Sequence, residues 1–102
     1  MKTLENKVVA LTGAGSGIGQ ALALALAQRG CHLALADVNA SGLETTVARL
    51  PANIKVTTYI VDVANKDRVY AWADEVAQAH GGVDVIINNA GVATQCTLED
   101  ID

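Results

Sequence analysis

The chain has 102 residues, 51% of them apolar, and a formal net charge of −4 at pH 7. That length and composition fit one compact unit with a core of its own and exclude an intrinsically disordered chain. The acidic balance leaves no basic patch to neutralise phosphates, and the longest apolar run, 21–27, is too short to span a bilayer, so neither nucleic acid nor membrane is an expected partner.

In chain order, residues 7–11 read as a buried strand. Residues 18–29 follow as a helix, with Ile18, Leu22, Ala25 and Leu26 on its apolar face and Gly30 as its stop. Residues 32–36 are a second apolar strand ending at Asp37. Ser41 and Glu44 have the spacing of a capping box, which predicts a helix start there; Leu43, Val47 and Leu50 form its apolar stripe and Pro51 ends it. Residues 54–61, β-branched and bearing Tyr59, predict a third strand that ends at Asp62. Asn65 suits the cap of a third helix carrying Val69, Trp72, Ala73 and Val76, with Gly81 and Gly82 as its stop. Residues 83–87 are a fourth strand, followed by Asn88, Asn89, Ala90 and Gly91. Strands alternating with helices imply an α/β parallel sheet with right-handed crossovers and helices on both faces. After Val92 the pattern fades, although Thr97 and Asp100 again have the spacing of a helix start.

The stretch from Thr12 to Gly19 joins the first strand to the first helix. Its glycines, Gly13, Gly15, Gly17 and Gly19, give the pattern Gly13-x-x-x-Gly17-x-Gly19 rather than Gly-x-Gly-x-x-Gly. Glycines allow a sharp turn and a close approach by a bulky anion. The first N–H groups of a helix lack internal partners, and the helix dipole favours negative charge there. Strand, glycine-rich turn and helix in this order therefore predict a nucleotide phosphate site. No Gly-Lys-Ser/Thr follows, which excludes a P-loop.

Asp37 lies 18 residues after Gly19, at a strand end, where a carboxylate can accept hydrogen bonds from ribose hydroxyls. Such a charged bond contributes about 1.5–3 kcal/mol. A 2′-phosphate at ~4 Å would be repelled by about 4 kcal/mol at an effective dielectric near 20, less where solvent enters. With no cation beside it, Asp37 predicts NAD in preference to NADP. The plainer reading makes Asp37 a turn former or helix cap. Asp62 either meets the adenine edge or caps the third helix, and the amides of Asn88 and Asn89 either tie strands together or contact the ribose.

The remaining polar residues have ordinary explanations. Trp72 belongs to a core-facing helix stripe. His80 sits at a helix C-terminus, where a cation is favourable, and neither it nor His32 has metal or triad spacing. Cys31 reads as a buried small apolar group and Cys96 as a tail residue. Two cysteines without a framework, and no secretory signal, predict a cytoplasmic protein with no metal site.

Together these residues resemble the short-chain dehydrogenase/reductase family. Thr12 to Gly19 matches its Thr-Gly-x-x-x-Gly-x-Gly motif, Asp37 the acid of its NAD-preferring members, Asp62-Val63 the pair bordering the adenine, and Asn88-Asn89-Ala90-Gly91 its Asn-Asn-Ala-Gly element. The resemblance implies a three-layer Rossmann-type doubly wound sheet in the order 3-2-1-4, truncated after about four strands. It implies NAD(H) held by Gly13, Ser16, Gly17, Ile18, Gly19, Asp37, Asp62, Val63, Asn89, Ala90 and Gly91, partly through the backbone. It also implies hydride transfer between the nicotinamide and an alcohol or carbonyl substrate. The family's catalytic asparagine, serine and Tyr-x-x-x-Lys pair have no counterpart after Gly91, and neither Tyr59 nor Tyr70 is followed by lysine four residues on. The expectation is thus an N-terminal, cofactor-binding half, one partial dinucleotide-binding domain over 1–102, inactive alone. Its fourth strand would leave an apolar sheet edge that predicts self-association or strand swapping. The alternatives are a non-catalytic nucleotide-binding module and a self-associating fragment that binds nothing.

Overall fold

The computed structural model describes residues 4–89. Four strands and three helices alternate along them: β1 (Val8–Thr12), α1 (Gly17–Gln28), β2 (His32–Asp37), α2 (Ala40–Ala48), β3 (Val56–Ile60), α3 (Lys66–His80) and β4 (Val85–Asn88). All strand pairs are parallel and the sheet order is β3-β2-β1-β4. This is the doubly wound arrangement that the alternation predicted.

The period of two along the strands divides the core between the two faces. Val9 and Leu11 of β1, with Leu33 and Leu35 of β2, face Ala23 and Ala27 of α1 and Leu43 of α2. Val8, Ala10, Ala34 and Ala36 face Trp72 and Val76 of α3. Three alanines on that second face leave room for the indole, whose ring meets Tyr59 edge-on at 6.4 Å between centroids. The Trp72 expectation is met, and its Nε1–H has no hydrogen-bond partner among the described residues.

Several sequence-based boundaries shift for identifiable reasons. α2 begins at Ala40 because Asn39, not Ser41, caps it: Asn39 Oδ1 accepts from Gly42 N at 3.0 Å, and Ser41 inside the helix donates to the same oxygen. The Ser41/Glu44 capping box is therefore not formed, and the helix ends at Ala48, before Leu50. β3 is shorter than 54–61 because its ladder begins at Leu33↔Val56 and ends at Asp37↔Ile60. β4 starts two residues late because Asp84 bonds differently. Its carboxylate accepts from Val8 N at 2.8 Å and its N–H donates to Val8 O. In α1 the buried stripe is Gly19, Ala23 and Ala27, whereas Ala25 is exposed and Ile18 is 68% exposed. Ile18 thus belongs to the surface beside the glycine-rich turn rather than to the core. Asn65 caps α3 as expected, accepting from Arg68 N, and Gly81 ends it at φ 79°.

β1 and β2 are covered on both faces, but the outer strands are not. Val85 and Ile86 of β4 and Ile60 of β3 are exposed. The expected contacts of Ala90 and Gly91, and the helix start at Thr97, lie outside the described residues. No helix among the described residues is long and apolar enough to cross a membrane.

Candidate dinucleotide site

The turn between β1 and α1 gives its glycines separate tasks. Gly13 sits at φ 67°, a conformation that other residues rarely adopt, and reverses the chain out of β1. A Cβ on Gly19 would lie 1.9 Å from Gly13 O, so this glycine allows α1 to pack onto the turn. A Cβ on Gly17 would meet nothing within 4 Å. The protein does not need a bare backbone there for its own packing, so Gly17 leaves open the space in front of the helix N-terminus. Ser16 caps α1: its hydroxyl accepts from Gly19 N at 3.3 Å and donates to Gly13 O at 2.9 Å.

Asp37 ends β2 facing this turn. Its Oδ2 accepts from Gly15 N at 2.8 Å and its Oδ1 from Asn39 N at 3.0 Å. The turn-forming reading is therefore realised, and the carboxylate also fastens the glycine-rich turn. Two ionised oxygens offer about four acceptor positions, so capacity remains for two further donors.

Gly13, Asp37, Asp62 and Val63 line one cavity of about 150 Å3 with Val38 and Val61. Three separate strand ends thus bring four of the sequence-predicted residues together. Val38 and Val61 were not singled out in the sequence; the available signal was their place beside the two acids at strand ends. Asp62 does not cap α3, since Asn65 does; its Oδ1 instead accepts from Ala64 N at 2.9 Å in a local turn.

Asn88 and Asn89 perform the tying role. Asn88 Oδ1 accepts from Thr12 Oγ1 at 2.8 Å, joining β4 to β1, and Asn89 Nδ2 donates to Gly13 O at 3.3 Å. A larger groove of about 470 Å3 lies between α2 and β3, but only Glu44 and Thr58 among its lining residues are polar, and none belongs to the glycine-rich turn. Among the described residues no cluster of three histidine, cysteine or acidic side chains could hold a metal.

His32 begins β2 and His80 ends α3, as expected. Lys55 Nζ donates to Ala79 O in the last turn of α3 and so supplies the cation there. His80 bonds Thr57 Oγ1 through Nε2 at 2.8 Å, and burial, then Lys55 and His32, lower its pKa below the usual histidine value. Cys31 is buried as expected, and burial pushes its thiol pKa up.

Comparison with known proteins decides the family. The family profile described as short chain dehydrogenase matches residues 7–102. The chain belongs to the short-chain dehydrogenase family. SadH of Mycobacterium tuberculosis is 46% identical over 94 residues, covering 91% of this chain and 34% of that protein. The D-threitol dehydrogenase of Mycolicibacterium smegmatis is 40% identical over 99 residues, covering 96% and 38%. A short-chain dehydrogenase/reductase from Burkholderia phymatum, solved in complex with NAD, superposes with a TM-score of 0.78 at 40% identity, covering 84% of this chain and 31% of that one. This short-chain dehydrogenase chain therefore spans about a third of the length of the relatives it matches, and that third is a Rossmann-like parallel sheet in the order 3-2-1-4.

Proposed function

We propose that residues 1–102 form one partial dinucleotide-binding domain that holds a nicotinamide dinucleotide, NAD in preference to NADP. It would serve an enzyme that exchanges hydride with an alcohol or carbonyl substrate. The observation that carries this reading is the convergence of Gly13, Asp37, Asp62 and Val63 on one cavity at the carboxyl ends of three parallel strands, where α/β sheets take their ligands. The open space at Gly17, before the N-terminus of a twelve-residue helix, fits an approaching pyrophosphate. The NAD complex of the Burkholderia relative supports the same cofactor.

The roles follow from chemistry. Backbone N–H groups of Gly17 and Ile18 face the phosphates while Ser16 and Gly19 hold the turn in place, Asp37 accepts from the adenosine ribose, and Asp62 and Val63 border the adenine. Asn89, through its bond to Gly13 O, completes the turn side of the site, and the assignment of Ala90 and Gly91 to the cofactor rests on the Asn-Asn-Ala-Gly element alone. When bound, the nicotinamide supplies the hydride donor or acceptor. No catalytic residue is assigned within 1–102, so the chain alone is expected to bind but not to turn over. A cytoplasmic location fits the two scattered cysteines.

NADH titration followed by nicotinamide fluorescence tests the assignment. Asp37→Ala should weaken binding about tenfold, the loss of one charged hydrogen bond. Unchanged affinity would sink the role given to Asp37. A second reading, self-association, is favoured by one observation: Val85 and Ile86 are exposed on a strand paired only with β1 among the described residues. Light scattering at rising concentration decides it, and a monodisperse monomer would reject it.

A further inference from the structure

Thr46 lies in α2, outside every motif named above, yet it is one of two buried polar side chains among the described residues, at 1% exposure. A helical threonine usually returns its hydroxyl hydrogen to the carbonyl four residues back. Here that carbonyl is Gly42 O, at 3.0 Å, but the shorter contact, 2.7 Å, goes out of the helix to Ala14 O in the glycine-rich turn. One hydroxyl carries one hydrogen, so the two acceptors share it and the turn has the shorter contact.

The surrounding contacts close a ring. Gln20 Nε2 donates to Gly15 O at 3.2 Å and Gly42 O at 3.4 Å. Gly15 N donates to Asp37, Asp37 accepts from Asn39 N, and Asn39 accepts from Gly42 N. A Cβ on Gly42 would lie 2.7 Å from Gly15 O, so the backbone of α2 rests directly on the turn. A loop that must order itself on binding loses affinity, and one fixed beforehand does not.

We propose that Thr46 is a positioning residue: its Oγ1 holds the Ala14 carbonyl and fixes the glycine-rich turn in its receptive shape. The consequence for cofactor rests on the dinucleotide reading above; the fixing of the turn does not. Thr46→Val keeps the shape and removes the hydroxyl, Thr46→Ser keeps the hydroxyl, and Thr46→Ala replaces the valine variant if that fails to fold. Two readouts are taken on folded protein: amide exchange at Gly15 without cofactor, and NADH affinity. In the hydroxyl-less variant the Gly15 amide should exchange about tenfold faster, with Leu35 unchanged, and NADH should bind about tenfold more weakly. Serine should restore both. A hydroxyl-less variant with wild-type Gly15 exchange would overturn the proposal and reduce Thr46 to a stabiliser of α2. If wild-type chain ignores NADH while Gly15 still responds to Thr46, the dinucleotide reading fails and the positioning role stands.

Discussion

Gly19 and Gly17, two positions apart, separate what the fold needs from what the site needs. Alanine at 19 would drive a methyl into Gly13 O and should cost about 3 kcal/mol, read as a lowered midpoint in urea. Alanine at 17 meets nothing within 4 Å outside its own helix turn among the described residues, so the midpoint should hold while NADH binding falls. Equal stability losses in both variants would contradict this division. His80 gives a pH dependence with a definite sign. Its lowered folded-state pKa means the unfolded chain protonates first as pH falls. The contribution is therefore complete above the usual histidine value, about 6.5, and declines as pH drops through and below it. The positive charge of Lys55, and after it that of His32, opposes its protonation, and Thr57 and Tyr59 continue its hydrogen-bond chain. His80→Gln should flatten the change in thermal midpoint between about pH 7.5 and 5.5 relative to wild type; an identical slope in both proteins would refute it. Trp72→Phe should cost far less than Trp72→Ala, for which about 3–5 kcal/mol is expected, because the indole N–H makes no bond among the described residues.

At the scale of elements, caps and edges decide what the sequence could reveal. Each strand and helix was legible from apolar runs and their periods, and so was Asn65 as a cap. The α2 start was not: Ser41 and Glu44 have the right spacing, but Asn39 has its own N–H held by Asp37 and its side chain aimed at Gly42 N. That competition depends on where β2 ends in space, which local spacing does not record. Asn39→Ala should cost about 1 kcal/mol, whereas Glu44→Ala should be near neutral, as urea unfolding of each would show. Ile18 was misassigned for a related reason. Its helical period matches the partly buried Leu22 and Leu26, but the buried stripe runs through Gly19, Ala23 and Ala27, with Gly19 packed on Gly13, and leaves Ile18 outside it.

Across the whole molecule, the glycine pattern, the acids at strand ends and the Asn-Asn-Ala-Gly element were enough to reach the family, because each sits at a fixed place in the βα order. The cavity wall supplied by Val38 and Val61, and the bond from Thr46 to Ala14, join residues from different elements and became legible only once the sheet was assembled. The central claim is that Asp37, fastened to Gly15 and Asn39, presents its remaining acceptors to a ribose bearing free hydroxyls. Parallel titrations of the wild-type chain with NADH and NADPH test it most directly. NADH should bind at least about tenfold more tightly, since a 2′-phosphate meets the carboxylate charge; equal affinities, or tighter binding of NADPH, would contradict the account.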